Sequence, residues 1–306
     1  MSDPVRDTNV LVTGGSGFVG TAVVAKLLDR GYKVIATSNV LTDSLPHHPN
    51  LEWVLWDALQ ESLPGVEWDT LGVILHLATP ERLFDFPEQA VALYELAVAS
   101  TFHLLESACR HQIGRVLIAS TGNVLACGAG IASETDTFYE PSSFYGTTKA
   151  CAELLTRAYQ SQVSAATLRF YHPYGIGKER VLVNRLVQQI AQGKPVFLEG
   201  EEGILVNPVW VDDLAEGIYL AVRSSANGIF HLAGPETVSL RQLVQLIASL
   251  LHKEAIIQTR PAGPLERHAG SYERAKRILG YNPRIGLREG LLRLIGGRNS
   301  DKEVQR

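Results

Sequence analysis

The sequence predicts an α/β protein: a doubly wound parallel sheet followed by a smaller mixed α/β lobe. Three observations lead there. Short β-rich runs alternate with helical patterns through the first half of the 306-residue chain. Those runs are nearly continuous in apolar residues, as strands covered on both faces must be. A glycine-rich segment, TGGSGFVG at 13–20, joins the first run to the first helical pattern.

The runs place strands at 10–13, 33–37, 52–56, 73–77, 115–120 and 166–171. Helical periodicity fills 17–30, 87–111 and 143–162 between them. Right-handed crossovers then fix most of the connections. Beyond Tyr171 the pattern loosens at Pro173, Gly175, Gly177 and Pro195, with helices expected at 181–192 and 240–251. Residues 208–233 regain strand and helix character and are expected to return to the sheet. The chain therefore divides into 1–171, with a return segment at about 206–233, and a lobe of 172–205 and 234–306.

Bulk properties narrow the partners. With 45% hydrophobic and 20% charged residues the chain can bury a sizeable core. A formal net charge of -4 gives no basic surface for nucleic acid. No apolar run approaches the ~20 residues of a membrane span. The opening residues MSDPVRDTNV carry no signal-peptide core. Cys109, Cys127 and Cys151 show no CxxC spacing, which fits a reducing compartment, and a cytoplasmic location is expected. The nine histidines form no HxH or HExxH pattern, so no metal is expected. No GxSxG occurs, so nucleophilic hydrolysis has no support.

The glycine segment carries the first chemistry. Gly15, Gly17 and Gly20 satisfy GxGxxG; Gly14, Gly17 and Gly20 satisfy the wider GxxGxxG. Following a strand and opening a helix, these glycines let backbone approach a pyrophosphate closely, in the Rossmann manner. Phe18 and Val19, at the start of the helix, then turn free amides toward the phosphates. Residues 1–171 are thus a dinucleotide-binding unit and the lobe a substrate-binding one. An acid about 20 residues downstream often holds the ribose diol. Here Ser38 and Asn39 stand in that place. Both can bond to either form, so NAD and NADP stay open. Asp57, with Ala58 beside it, follows the third strand, within reach of an adenine amine.

The second chemistry is YGTTK. Tyr145 and Lys149 lie four apart, on one helix face. An ammonium near a phenol is expected to lower its pKa, making it a proton-transfer group near neutrality. Thr121, at the end of the fifth strand, is placed to hydrogen-bond the reacting oxygen. His76, on an apolar strand, reads as a packed core residue. Taken alone, the Tyr-Lys spacing is common on amphipathic helices; its place after the fifth strand gives it meaning.

These segments resemble the extended short-chain dehydrogenase/reductase family, its sugar-nucleotide epimerase/dehydratase group in particular. TGGSGFVG is similar to TGxxGxxG, His76-Leu77-Ala78-Thr79 to HLAA, Ser120-Thr121 to the catalytic hydroxyl pair and YGTTK to YxxxK. Glu134, Pro141 and Glu153 match the lighter pattern; LRFYHPYG, NPVWVDDLAEG and SYERAKRILGYNP match the later motifs. The resemblance implies catalytic Thr121, Tyr145 and Lys149. It also implies cofactor contacts from Leu77, Ala78, Thr79, Tyr171 and His172, and a homodimer through 87–111 and 143–162. Substrate contacts are implied for Thr121, Asn123, His172 and Arg260.

Departures select the reaction. Gly122 and Asn123 follow Thr121 where dehydratases of the group carry an Asp-Glu pair and 3,5-epimerases a Cys. What remains is reversible oxidation at one carbon. The leading expectation is C4 epimerisation of a nucleotide-diphosphate sugar. The alternative is an NADPH-dependent ketoreductase, and a non-catalytic dinucleotide sensor is the reading of another class. His172 replaces an Asn, Val206 an Arg and Ala97 an Asn, so the substrate itself stays open.

Overall fold

Seven parallel strands make one sheet in the computed structural model, which describes residues 8–304 apart from 58–62, 64, 81, 126–127, 129, 137–140, 178–179 and 264–265. In chain order they are β1 (Asn9–Thr13), β2 (Lys33–Ser38), β3 (Leu51–Leu55), β4 (Leu71–His76), β5 (Arg115–Thr121), β6 (Ala165–Phe170) and β7 (Gly228–Leu232). The sheet order is β7-β6-β5-β4-β1-β2-β3. The order reverses beside β1, so a crevice opens at the carboxyl edge between β1 and β4. The return segment of the sequence supplies β7, which pairs in parallel with β6.

The apolar runs face both layers. Val10 and Val12 of β1 join one buried cluster and Leu11 the other. Val73 and Leu75 of β4 alternate with Ile74 in the same way, as do Leu117 and Val116 of β5. Each such burial stabilises by roughly 1.5–3 kcal/mol. Helices α1 (Phe18–Asp29), α6 (Val211–Arg223) and α8 (Glu273–Leu279) cover the first layer. Helices α3 (Ser100–Arg110) and α4 (Phe144–Tyr159) cover the second. A third cluster, from Tyr174 to Leu294, gathers α5 (Leu182–Ala191), α7 (Leu240–Leu250) and Leu287, Leu291 and Leu294 of α9 (Leu287–Val304).

The helix expected at 87–111 is interrupted. It begins as α2 (Ala90–Tyr94), passes through a π turn at Glu95–Ala99, and continues as α3. The reason lies in the hydrogen bonds around Leu96 O, one local and one from His76 of β4. Ser100 N–H reaches back to Glu95 O, leaving Leu96 O to two side chains. The Ser100 hydroxyl donates to it at 2.7 Å, and His76 Nε2 lies 3.0 Å away. Such π turns often mark functional sites.

One buried ion pair ties the second layer to the sheet. Arg169 of β6 binds Glu153 of α4 through Nε (2.9 Å) and a terminal nitrogen (2.7 Å). Ser120 of β5 donates to the same carboxylate at 2.5 Å. Removing one partner of a buried pair leaves an uncompensated charge. Glu153→Leu is therefore expected to cost about 3–5 kcal/mol, read from urea unfolding midpoints. A loss under about 1 kcal/mol would show that water reaches Arg169 and that the pair does not clamp the layers.

Candidate active site

A cleft of about 870 Å³ runs along the carboxyl edge of the sheet, between the glycine loop and the lobe. The loop forms one wall. Gly15 N–H donates to Thr37 O at 2.9 Å, and Gly17 N–H donates to Gly14 O at 3.0 Å. Gly14 has φ +68°, and a Cβ there would stand 2.8 Å from Ala78 Cα. A Cβ on Gly20 would stand 2.1 Å from Gly14 O. The loop is thus closed by backbone contact that only glycine allows. Gly17 caps α1 with no side-chain hydrogen bond, so the first amides of the helix have no side-chain acceptor.

Behind the loop, Thr13 accepts from Leu77 N–H and Ala78 N–H, each at 3.2 Å. Its hydroxyl hydrogen therefore goes to His76 Nδ1, 2.7 Å away. Nε2 then carries the ring proton and donates to Leu96 O. His76 is a packed core residue, as expected, and it links the glycine loop to the π turn.

The opposite wall carries the expected catalytic groups. Ser143 caps α4 by accepting from Gly146 N–H at 3.1 Å. From there Tyr145, Lys149 and Glu153 repeat every four residues on the buried face. Tyr145, Lys149 and Thr121 all line the cleft. The Tyr145 phenol is hydrogen-bonded to Thr121, and Lys149 Nζ donates to Ala119 O at 3.0 Å.

One electrostatic expectation is corrected. Burial pushes the Tyr145 phenol up to about 12, against the opposing pull of Thr121. Burial also brings the Lys149 ammonium down to about 8, with Glu153 acting in the other direction. The lysine is committed to a backbone carbonyl, and desolvation of the phenolate decides the direction.

Most other expected residues line the same cleft: Gly14, Gly17, Phe18, Val19, Ser38, Asn39, Asp57, Leu77, Thr79, Asn123, Tyr171 and His172. Three do not. Ala78 lies behind the loop, its amide held by Thr13. Ala58 falls outside the described residues. Arg260 sits on an exposed strand, Ile257–Arg260, with its guanidinium 4.2 Å from the Phe197 ring centre, away from the cleft. That strand pairs with Val196–Glu199 at the lobe surface, which carries the side chain outward. Ser38 is also more committed than expected. It donates to Val40 O at 2.6 Å and accepts from Ser16 at 2.9 Å.

The sequence reading missed several wall residues. Arg180, just before α5, and Arg185, in its first turn, bring the guanidinium groups that were sought at 206 and 260. Leu83 and Phe84 come from the segment after β4, Glu266 and His268 from the lobe. Arginines at the start of a helix that follows Gly177 were the available signal. His172 has φ +45°, a strained conformation outside glycine. Its ring centre stands 5.7 Å from that of His268, whose Nε2 is 2.7 Å from Glu266. Among the described residues no three metal-ligating side chains gather, and no helix is long and apolar enough to cross a membrane.

The family model for the NAD dependent epimerase/dehydratase family matches residues 10–233, from β1 through β7. The chain belongs to this family. UDP-glucuronic acid decarboxylase 4 of Arabidopsis thaliana is 29% identical over 304 residues. The alignment covers 92% of this chain and 66% of that relative, so the chain spans about two thirds of its length. Among epimerase/dehydratase family structures, MoeE5 in complex with UDP-glucuronic acid and NAD superposes with TM-score 0.80 at 27% identity, covering 95% of this chain and 99% of that one. The UDP-glucose 4-epimerase of Thermus thermophilus, in complex with NAD, gives TM-score 0.80 at 25% identity over 94% of this chain and 98% of that one.

Three buried histidines set a pH limit on this site. Burial lowers His76 and His172 to about 3, and His231 well below its ordinary value. Each folded-state value lies below the unfolded value near 6.5. Their contribution is therefore complete above that value and is lost as pH falls from about 6.5 toward 3. Lowering the pH from 7.5 to 5.5 should remove on the order of 1 kcal/mol per histidine, read from urea midpoints. Equal midpoints at the two pH values would mean these rings protonate in place.

Proposed function

We propose that this chain is an NAD-dependent epimerase that oxidises and re-reduces C4 of a nucleotide-diphosphate sugar. One observation carries the reading. Thr121, Tyr145 and Lys149 meet on one wall of the cleft whose other wall is the glycine loop. Three hydroxyl and ammonium groups beside a dinucleotide cradle suit reversible carbinol oxidation. Gly122 and Asn123 add no acid or base beyond them.

The residues present fit NAD. The glycine loop has no room for side chains, and the α1 amides lack a side-chain cap. We assign the pyrophosphate to Gly14, Gly17, Phe18 and Val19. The adenosine end goes to Ser38, Asn39 and Asp57, and the nicotinamide end to Leu77, Thr79, Tyr171 and His172. Neither Ser38 nor Asn39 is a cation that would select a 2′-phosphate, and the similar structures named above contain NAD. When bound, NAD supplies the acceptor and donor of the hydride. Residues 1–171 with 206–233 hold the dinucleotide, and 172–205 with 234–306 hold the sugar nucleotide. Arg180 and Arg185 supply its phosphates with counter-charge.

Tyr145 moves the proton at the C4 oxygen. As phenolate it accepts the proton while the carbinol is oxidised, and as phenol it returns it on reduction. The positive charge of an oxidised nicotinamide would favour the phenolate that burial alone disfavours. Thr121 donates a hydrogen bond to the same oxygen and holds it against the phenol. Lys149 keeps the phenol and the strand end at fixed distance through Ala119 O. Inversion then requires only that the keto sugar turn its other face before reduction. Ketoreduction by NADPH is the second reading, favoured by the missing acid at Ser38. Cys109 and Cys151 are free thiols, which suits a cytoplasmic enzyme.

Tyr145→Phe should lower turnover about 10²- to 10⁴-fold while bound NAD, measured by mass spectrometry of the denatured protein, is retained. Undiminished turnover would remove the phenol from the mechanism. Net loss of nicotinamide absorbance, one per substrate, would replace epimerisation by ketoreduction.

The same helices suggest a partner. Val91, Tyr94, Phe102 and Leu154 are large exposed apolar side chains on the 90–110 helical segment and α4. We propose that they pack on their copies across a two-fold axis. Sedimentation should show a dimer, and Phe102→Glu a monomer. A monomeric wild type would dismiss the arrangement.

A further inference from the structure

A second, smaller pocket of about 460 Å³ lies beside Tyr145, between the segment after β4 and the first turn of α4. We infer that it is a subsite for an uncharged, apolar substituent of the substrate, an alkyl, acyl or aryl group next to the reacting carbon. The inference rests on the redox reading of the cleft given above.

The pocket is continuous with the cleft. Leu83, Phe84, Ser142, Ser143 and Tyr145 line both. A substrate whose reacting oxygen meets the Tyr145 phenol therefore has this pocket beside it. The rest of the wall is Phe86, Pro141, Phe144 and Thr147. Phe84 meets Tyr145 edge to face, with ring centres 5.9 Å apart at 78°. Phe86 stacks on Phe144 at 4.8 Å and 27°. Aromatic pairs in these geometries hold their rings in place.

The wall chemistry selects the occupant. No charged side chain among the described residues lines the pocket. Two of its hydroxyls are turned to backbone. Ser143 accepts from Gly146 N–H, and Thr147 donates to Ser143 O at 3.1 Å. A carboxylate or phosphate there would lose hydration with no cation in return. Meanwhile Phe84 stays 67% and Phe86 57% exposed, both large rings on one short segment. Apolar surface of that kind next to a reactive group is a ligand-binding signature. An apolar group seated there covers both rings. The favoured sugar is therefore one with a deoxy, methyl or acylated position near C4. A carbonyl substrate with an alkyl or aryl arm fits equally under the ketoreductase reading.

The test reads binding without turnover. Protein with NAD bound is titrated with 4-fluorobenzyl alcohol and followed by fluorine NMR linewidth. Saturable broadening is expected, with affinity about tenfold weaker in Phe84→Ala and Phe86→Ala, the scale of one lost aromatic contact. The anion of the same shape, 4-fluorobenzoate, should bind at least about tenfold more weakly. Both substituted residues are exposed, so the fold is expected to survive, and retained NAD checks it. Equal affinity for the benzoate, or unchanged affinity in both variants, overturns the subsite. So does a shift from dimer to monomer in Phe86→Ser, which gives the pocket to a second copy. Failure of the redox reading shows elsewhere, as absent NAD or as a fully active Tyr145→Phe.

Discussion

The contact between Glu153 and Arg169 holds the site together. Both side chains are fully buried, and the carboxylate takes two guanidinium bonds and one from Ser120. Those three residues sit on α4, β6 and β5. Ser120 precedes Thr121, and Glu153 stands one turn beyond Lys149. The strand that carries Thr121 and the helix that carries Tyr145 and Lys149 are therefore indexed by one carboxylate. A bidentate pair fixes angle as well as distance. His231 of β7 extends the set, 3.3 Å from Arg169 and 3.3 Å from the Tyr171 hydroxyl. The returning strand is thus part of the same clamp.

Burial gives this arrangement its character. It keeps Tyr145 protonated and lets Lys149 give up its proton more readily than a surface lysine would. The Lys149 charge also acts on His76, adding to the burial that holds that ring neutral. His76 in turn donates to the carbonyl released by the π turn. Glycine loop, π turn and Lys149 form one electrostatic unit.

The rest of the cleft is less constrained. Arg180 precedes α5 and Arg185 lies in its first turn, and the Phe84 and Phe86 rings come from the segment after β4. These pieces are not held by the buried ion pair. Function follows such local pieces of a site more closely than it follows the fold.

The strands were legible because a parallel sheet buried on both faces needs unbroken apolar runs, and 10–13, 73–77 and 115–120 are such runs. Their edges moved by only one or two residues. The glycine loop and YGTTK were legible because each encodes its chemistry in local spacing. Three matters belonged to tertiary structure. The π turn inside 87–111 depends on His76, twenty residues away in sequence, capturing Leu96 O. The direction of the Tyr145 shift depends on burial, which spacing does not report. The arginines of the cleft depend on where α5 begins relative to the sheet, and that placed Arg180 and Arg185 inside and Arg260 outside. Local spacing names the groups that can react; only packing decides how much water they keep and which of them face one another.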